Sequence, residues 1–194
     1  MLSLFLPSVP PPTTLSLFLP SIPPPDRSAH ARVVWGVHWS PDDSLVASGS
    51  RDGAVKLWAV KAAGQRGQGG PESNDGAVLE ERPAKSLPTF QSAVCSLAFA
   101  PLAKVDGGGR RRYMLAIGLE DGNLQIWYSD PNDPPAGAAS WGLAWGTCDF
   151  TRHSASVSSL CWRVDAATED GTGSCFQVAT AGRDHSVRVF AVRL

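Results

Sequence analysis

Histidine, serine and aspartate, the residue types of a catalytic triad, occur close together near the start of the chain. His30, Ser48 and Asp52 could supply a base, a nucleophile and an orienting carboxylate. Asp52, however, lies in a Gly-Ser-Arg-Asp-Gly run that is typical of a tight turn, and His30 precedes a predicted strand. The sequence has no nucleophile elbow, phosphate-binding loop, paired glycosidase carboxylates or metal-binding motif. We therefore predict no catalytic residue, no small-molecule substrate and no cofactor.

The cysteines could bind a metal ion or form disulfides, but their spacing favours neither. Cys95, Cys148, Cys161 and Cys175 form no Cys-x-x-Cys pair and have no neighbouring histidine at metal-ligand spacing. We predict structural free thiols in a reducing compartment, and no metal site.

A thirteen-residue pattern that occurs three times must position the polar residues. It reads VASGSRDGAVKLW from Val46, LAIGLEDGNLQIW from Leu115 and VATAGRDHSVRVF from Val178. Apolar residues flank a central Asp-Gly or Asp-His pair, which predicts a strand, a tight turn and a second strand. The copies are farther apart than the roughly 40–45 residues of a lean four-stranded propeller blade, so we expect inserted loops in each unit.

A second shared element precedes each copy. It reads VWGVHW from Val34, VCSLAF from Val94 and VSSLCW from Val157, with apolar residues at the first, fourth and sixth positions. We predict that it forms the inner strand of each unit. Four tryptophans at strand positions shared between units are predicted to be core residues: Trp39, Trp58, Trp127 and Trp162.

From about residue 30 to residue 194, this order of elements resembles the WD40 repeat family. The resemblance implies an all-β fold, a partial WD40 β-propeller with about three blades of four-stranded antiparallel sheet in an incomplete ring. The implied units are residues 28–89, 90–150 and 151–194, and the last lacks its outer strand. Closed propellers need at least about four blades, so we interpret the chain as the C-terminal piece of a longer propeller protein.

In members of this family a His, a Ser or Thr, an Asp and a Trp form a structural tetrad. The resemblance implies that these residues supply the hydrogen bonds that a half-buried carboxylate needs. The second unit has Phe90 and Ile117 at two tetrad positions and the third has Phe190 at one, so we expect incomplete networks there. The residues at tetrad positions are His30, Ser48, Asp52 and Trp58, then Asp121 and Trp127, then His153, Thr180 and Asp184.

Residues 1–27 form a Pro-rich tail in which LSLFLPSVPPP from Leu2 recurs as LSLFLPSIPPP from Leu15. This low-complexity composition predicts a disordered segment, or one translated from intron sequence through a gene-model artefact. Its apolar runs are far shorter than the ~20 residues that span a bilayer, and the uninterrupted apolar stretch of a secretory signal is missing. We predict no membrane association. Acidic residues are absent before Asp26, so a transit peptide remains an alternative.

Charge patterning favours proteins as partners. The net charge is −1, which argues against a globally basic nucleic-acid binder. The resemblance implies a contact face made by the residue before each turn aspartate, with ordinary solvated charge as the alternative. The candidate partner-binding residues are Arg32, Arg51, Glu120 and Arg183. The GGGRRR segment predicts a solvated loop, with a weak RNA contact as the alternative. That candidate RNA contact consists of Arg110, Arg111 and Arg112.

A closer resemblance is to the family of second subunits of the Elongator complex, which are double WD40 propellers. The segments that carry it are HARVVWGVHWSPDDSLVASGSRDGAVKLW from His30, RYMLAIGLEDGNLQIW from Arg112, HSASVSSLCWR from His153 and ATAGRDHSVRVF from Ala179. The resemblance implies a non-catalytic scaffold that supports wobble-uridine modification of tRNA and histone acetylation linked to transcription elongation. The implied partners are other Elongator subunits, and tRNA indirectly, in the cytoplasm and nucleus. The alternatives are a generic WD40 adaptor in ubiquitin ligation or chromatin, and weak RNA binding.

Overall fold

The computed structural model describes residues 29–61, 78–79, 82–101, 103–105, 110–129, 141–164 and 175–193. Within these ranges every regular secondary-structure element is a β-strand, and the strands pair in antiparallel sheets. The Pro-rich tail that was predicted to be disordered lies outside the described residues. No helix in the described part of the chain is long and apolar enough to cross a membrane.

The first sheet is built from the first copy of the repeat. Its strands β1, β2, β3 and β4 pair in that order, and β5 also pairs with β3. The inner strand β1 has a bulge between Val34 and Gly36, where one residue is left out of the pairing with β2. The strands are β1 Val34–Trp39, β2 Leu45–Ser50, β3 Val55–Lys61, β4 Val78–Leu79 and β5 Lys85–Ser86.

The second copy builds a four-stranded sheet and a short ribbon. The sheet has the order β11-β10-β9-β6, so the inner strand β6 is again at one edge. The strands are β6 Val94–Phe99, β7 Ala103–Val105, β8 Arg110–Arg112, β9 Met114–Leu119, β10 Leu124–Ser129 and β11 Trp141–Gly146. The prediction that Arg110–Arg112 lies in a loop was wrong, because these residues form β8 and pair with β7. Three consecutive arginines hide the strand signal, since it depends on alternating apolar residues.

The third copy builds a three-stranded sheet in the order β12-β13-β14. Its strands are β12 Val157–Val164, β13 Cys175–Gly182 and β14 Val187–Arg193. All three inner strands carry a bulge after their first residue, so the repeat preserves this irregularity as well as the strand itself. The three sheets confirm the predicted all-β fold, an incomplete propeller with three blades.

The hydrophobic core lies between the sheets. Ala47, Val55 and Leu57 of the first sheet are buried against a cluster that includes Leu97 and Phe99 of the second. The opposite face of the second sheet contributes buried residues to a cluster that the third sheet covers with partly buried apolar side chains. Each interface joins one blade's β2-β3 type hairpin to the inner strand of the next blade, so the blades stabilise one another.

The outer surfaces of the first and last sheets have no such neighbour in the described residues. Trp39 is 50% exposed, and Val37 on the same side of β1 is 68% exposed. The prediction that Trp39 is a core residue was therefore wrong, whereas its equivalents Phe99 and Trp162 are buried and partly buried. The repeat pattern places Trp39 on an inter-blade face, but burial there depends on a preceding blade.

The last blade has His185 at the turn position where the other two blades have glycine. Gly53 and Gly122 have φ of 77° and 87°, and a Cβ at either would overlap a carbonyl oxygen of the next blade, Phe90 or His153. Only glycine fits both the positive φ and the close approach. His185 occupies the same position in the last blade with φ of 62°. In the described residues no later blade follows it.

Candidate protein-interaction site

The four tetrad residues of the first blade form one hydrogen-bond network. His30 Nε2 lies 2.8 Å from Ser48 Oγ, and Trp58 Nε1 donates to the same oxygen at 2.9 Å. His30 Nδ1 lies 3.3 Å from Asp52 Oδ1, and the backbone of Ala31 donates to Asp52 Oδ2 at 2.8 Å. Ser48 and His30 are buried, so the serine hydroxyl is both engaged and inaccessible. The arrangement fixes the turn and the preceding segment, and it offers no free nucleophile.

The third blade forms the same network without its tryptophan. His153 Nδ1 lies 2.9 Å from Asp184 Oδ1, and His153 Nε2 lies 2.8 Å from Thr180 Oγ1. Ser186 Oγ adds a bond to Asp184 Oδ1 at 2.8 Å. Phe190, which replaces the tryptophan, instead packs against Trp145 with ring centroids 5.4 Å apart. The blade therefore keeps the polar part of the network and replaces the indole bond with an aromatic contact.

The second blade lacks the network. Asp121 is exposed, and its carboxylate accepts bonds only from its turn neighbour Asn123 among the described contacts, at 3.0 and 2.7 Å. Trp127 Nε1 donates to Gln125 Oε1 at 3.0 Å. Phe90 packs edge-on against the Trp127 ring with centroids 5.9 Å apart. The structure therefore keeps Asp121 and Trp127 apart, and an aromatic pair replaces the polar network.

Hydrogen bonds hold the turn carboxylates in their charged form. Burial acts to raise the pKa of Asp184, but bonds from Ser186 Oγ, His153 and the backbone of Ser154 outweigh it and hold the pKa well below its usual range. Burial likewise acts to raise the pKa of Asp52, and backbone bonds from Ala54 and other donors lower it below the usual value. Both carboxylates therefore favour the folded state when they are ionised.

Replacing Asp52 and Asp184 together by asparagine should make the melting temperature depend less steeply on pH in acid. The pKa of both groups is lower in the folded chain than the unfolded value of 3.8. Their stabilisation is therefore complete above that pH and is lost as the pH falls from about 4 towards the folded pKa values. We expect the melting temperature of the wild type to fall more steeply between pH 5 and pH 2 than that of the double variant. Parallel slopes, measured by circular dichroism, would contradict the assignment.

A half-open cavity of about 420 Å³ lies where the three inner strands converge. The residue before each turn aspartate lines it, and so does the second residue of each inner strand. The first set is Arg51, Glu120 and Arg183, and the second is Trp35, Cys95 and Ser158, with Ser156 completing the lining. Three of the four predicted face residues are thus brought together. Arg32 is exposed but is outside the lining among the described residues.

The fold positions the three charged residues by one repeated backbone bond. The amide of Arg51 donates to Val33 O, that of Glu120 to Ala93 O and that of Arg183 to Ser156 O, at 3.0, 2.9 and 2.9 Å. Each bond ties the residue before the turn aspartate to the residue that immediately precedes the inner strand. The repeat therefore presents three side chains from equivalent positions to one opening, and only their chemical identity differs.

The charges at this opening act on one another and on the cavity wall. The Arg51 guanidinium lies 5.9 Å from the centroid of the Trp35 ring, within cation–π distance. Burial raises the pKa of the Cys95 thiol, and the negative charge of Glu120 raises it further against a smaller opposing effect of Arg183. The thiol is therefore protonated, and the opening offers two cations, one anion and an indole for polar contacts.

Four of the seven residues that line the cavity were not predicted from the sequence. Trp35, Cys95 and Ser158 share the second position of the inner strand, and that shared position was a usable signal. Their differing chemistry, an indole, a thiol and a hydroxyl, hid the equivalence. Cys95, Cys148 and Cys161 are free, and Cys95 is half-buried while the other two are exposed. In the described part of the chain no three His, Cys, Asp or Glu residues are grouped so that they could hold a metal ion.

Comparisons with known proteins found one matching family model and several similar proteins. A family model described as WD domain, G-beta repeat matches residues 25–59 and 146–190. The chain is similar to Elongator complex protein 2 of Dictyostelium discoideum, at 29% identity over 85% of this chain and 17% of the relative. It is also similar to proteins of that name from Homo sapiens, at 26% identity over 85% of this chain and 19% of the relative, and from Arabidopsis thaliana, at 28% over 84% and 17%.

The chain spans less than a fifth of the length of these relatives. A solved structure, Sqt1 of Saccharomyces cerevisiae, aligns with 87% of this chain and 37% of its own, with a TM-score of 0.45 and 16% identity.

Proposed function

We propose that this chain is a non-catalytic protein-interaction scaffold of an Elongator-type complex, because a WD domain family model matches residues 25–59 and 146–190. One observation carries the proposal: the relatives described above share the name Elongator complex protein 2, and each aligns over about 85% of this chain. The geometry supports a scaffold, because the only Ser/His/Asp-type groupings found among the described residues are closed structural networks. An enzyme would need an accessible reactive group in a cavity.

The finer functional assignments rest on the same similarity. We propose that the complex served by this scaffold modifies wobble uridines of tRNA and has a role in histone acetylation linked to transcription elongation. The chain would then act in the cytoplasm and the nucleus, with other Elongator subunits as its direct partners and tRNA as an indirect one. The catalytic chemistry would belong to another subunit.

The charged opening at the inner strands is the surface that we propose for partner contact. Arg51 and Arg183 are separated along the chain but converge on one cavity with Glu120 between them in the repeat order. Two cations around an anion favour a partner segment with acidic side chains and one basic or hydrogen-bond-donating group. Arginine suits this role because its planar guanidinium pairs with carboxylates through two parallel bonds.

Reversing Arg51 and Arg183 to glutamate should reduce recovery of other Elongator subunits by about tenfold or more. The change replaces two attractive contacts with like charges, which cost several kcal/mol across an interface. The tagged chain is expressed in cells, and its partners are measured by quantitative mass spectrometry after affinity purification. The backbone amides at positions 51 and 183 keep their hydrogen bonds to the residues before the inner strands, so the fold is expected to persist.

A charge-matched variant distinguishes an effect of this surface on partner recovery from an effect of net charge. Arg82 and Lys85 lie next to and within β5, the outer strand of the first blade, and outside the cavity lining. Reversing both to glutamate changes the net charge by the same amount and should leave recovery unchanged. Equal recovery with the Arg51/Arg183 variant and the wild type would reject the surface. Recovery of cullin adaptors instead of Elongator subunits by the wild type would reject the Elongator assignment.

A further inference from the structure

A ribbon of two short strands, β7 and β8, continues the β6–β9 hairpin of the second blade. β7 follows β6 along the chain, and β8 runs into β9 with only Tyr113 between them. Val94 of β6 pairs with Leu119 of β9 next to the cavity residues, and Phe99 pairs with Leu115 at the other end of the hairpin. The β7–β8 ribbon therefore begins at the end of the blade that is opposite to the charged opening.

The β7–β8 ribbon is rich in cations and has no acidic residue. Its strands read AKV in β7 and RRR in β8. The register places Lys104 directly opposite Arg111. Like charges directly opposite one another destabilise a pair of strands, and an isolated two-stranded ribbon is only marginally stable. The four cations therefore oppose the pairing of the two strands, and a bound anion would relieve this repulsion.

Tyr113 fixes the base of the ribbon. Its backbone amide donates to Ser129 Oγ at 3.0 Å, and its carbonyl accepts a bond from the amide of Ser129 at 3.0 Å. Its hydroxyl donates to Asp42 Oδ2 at 2.5 Å, in the turn after β1 of the first blade. Tyr113 is buried, and its ring lies edge-on to Phe99 with centroids 6.4 Å apart. The ribbon is thus attached to a rigid base, which reduces the entropy that is lost when a ligand binds.

The carboxylates of the turn after β1 do not cancel the charge of the ribbon. Asp42 also accepts bonds from Ser40 Oγ at 2.7 Å and from Ser44 Oγ at 2.9 Å. Burial acts to raise the pKa of Asp42, but the hydrogen bonds from Tyr113 and the two serines outweigh burial and lower the pKa. Asp42 is therefore ionised and engaged in the anchor, and Asp43 is the other acidic residue of this turn. Among the described residues of the turn and the ribbon, four cations face two carboxylates.

We propose that the β7–β8 ribbon binds the phosphate backbone of RNA. Three of its four cations are arginines, and a guanidinium pairs with a phosphate through two parallel bonds. Successive residues of a strand are about 3.3 Å apart, so the ribbon offers closely spaced cations to a polymer that has one phosphate per nucleotide. The ribbon has no aromatic or amide side chain that could read a base, which favours binding independent of sequence.

The choice of RNA among polyanions rests on the proposed function, because a complex that modifies tRNA presents RNA to its subunits. The contact would be direct, whereas the scaffold role requires only an indirect one. The ribbon and the cavity lie at opposite ends of the second blade, so the two surfaces can be tested separately. DNA and acidic protein segments are the competing ligands, and the experiment distinguishes them from RNA.

Fluorescence anisotropy of a labelled single-stranded RNA of about 20 nucleotides and mixed sequence tests the contact with the full chain. In 150 mM KCl we expect a dissociation constant of about 1–100 µM, the range of sequence-independent binding. Replacing Arg110, Arg111 and Arg112 together by glutamine should weaken binding about tenfold or more. It should also reduce the slope of log affinity against log salt concentration by about 2, since each lost phosphate contact contributes about 0.7.

Two further variants serve as controls. Lysine at the same three positions keeps the charge, so it should preserve the salt slope and bind RNA within about threefold of the wild type. Replacing Arg32, Arg82 and Lys85 by glutamine removes the same charge from the first blade and should change the affinity by no more than about twofold. Far-UV circular dichroism melts confirm that each variant is folded before its RNA affinity is compared.

The ribbon and the scaffold assignment can fail independently. The glutamine variant of the ribbon should still recover other Elongator subunits, because the cavity is unchanged. A wild-type chain that binds RNA through the ribbon but recovers no Elongator subunit would reject the scaffold assignment alone. Normal recovery of subunits by a chain that does not bind RNA would overturn the ribbon proposal alone.

Three other results would also overturn the ribbon proposal. Equal weakening by the glutamine variants of the ribbon and of the first blade would reduce the binding to net charge. Displacement of the RNA by poly-glutamate as effective as displacement by unlabelled RNA would assign the ribbon to acidic protein segments. Binding of DNA of the same sequence about tenfold tighter than RNA would assign it to DNA.

Discussion

Gly122→Ala should lower the free energy of unfolding by about 2–4 kcal/mol. Gly122 has a φ of 87°, and an added Cβ would overlap the carbonyl oxygen of His153, which belongs to the backbone of the next blade. The left-handed conformation contributes roughly 1 kcal/mol of this cost, and overpacking against rigid backbone contributes roughly 1–3 kcal/mol. His153 also donates its amide to the Gly122 carbonyl at 3.0 Å, so the second and third blades cannot separate at this point without losing that bond.

The control for this substitution lies in the same protein. His185 occupies the equivalent turn position at φ of 62° and already carries a side chain. His185→Ala should therefore change the free energy of unfolding by no more than about 0.5 kcal/mol. Urea denaturation at 25 °C, followed by tryptophan fluorescence, measures both variants. A cost of only about 1 kcal/mol for Gly122→Ala would show that the positive φ alone determines the cost and that the contact with His153 does not matter.

The local repeat was predictable because its signals are local. Strand alternation, the Asp-Gly turn and the inner-strand pattern each depend on residues a few positions apart, and β2, β3, β9 and β10 follow them. The polar network of the first blade was also predictable, since His30, Ser48, Asp52 and Trp58 are all present in repeat order. The sequence likewise indicated that the networks of the other two blades would be incomplete.

Features that depend on contacts between distant segments were not predictable. The pattern that makes Trp162 partly buried leaves Trp39 half exposed, because burial requires a neighbouring blade that the pattern itself does not encode. The cavity lining was not predictable for a related reason. Trp35, Cys95 and Ser158 share a repeat position but no chemical property, so only the convergence of three inner strands shows them as one site.

Phe90 shows how a consensus position can change its chemistry and keep its place in the fold. It stands where His30 and His153 stand in the other blades, and it stacks edge-on against Trp127. The Asp121 carboxylate therefore has no buried histidine partner and remains exposed, and among the described contacts it accepts bonds only within the turn. Such an exchange is tolerated because an aromatic pair needs no hydrogen-bond partner, whereas a half-filled polar network would leave a buried group unsatisfied. The blade thus depends on apolar packing where its neighbours depend on hydrogen bonds.

Inter-blade packing can be measured directly by truncating Trp162 and Trp39, which share the sixth position of the inner strand. Trp162 Nε1 donates to the Ala98 carbonyl of the preceding blade at 2.9 Å, and its ring lies edge-on to Phe176 with centroids 6.4 Å apart. Trp162→Ala should therefore lower the free energy of unfolding by about 3 kcal/mol, through lost burial, a cavity and an unpaired carbonyl. Trp39→Ala should cost less than about 1 kcal/mol, because half of its side chain is already exposed to solvent.

Urea denaturation at 25 °C, followed by far-UV circular dichroism, measures both variants. Trp162→Ala should show its full cost, since the contacts of Trp162 with Ala98 and Phe176 lie within one chain. Equal costs for the two tryptophans would mean that contact with the preceding blade is not what makes this repeat position matter.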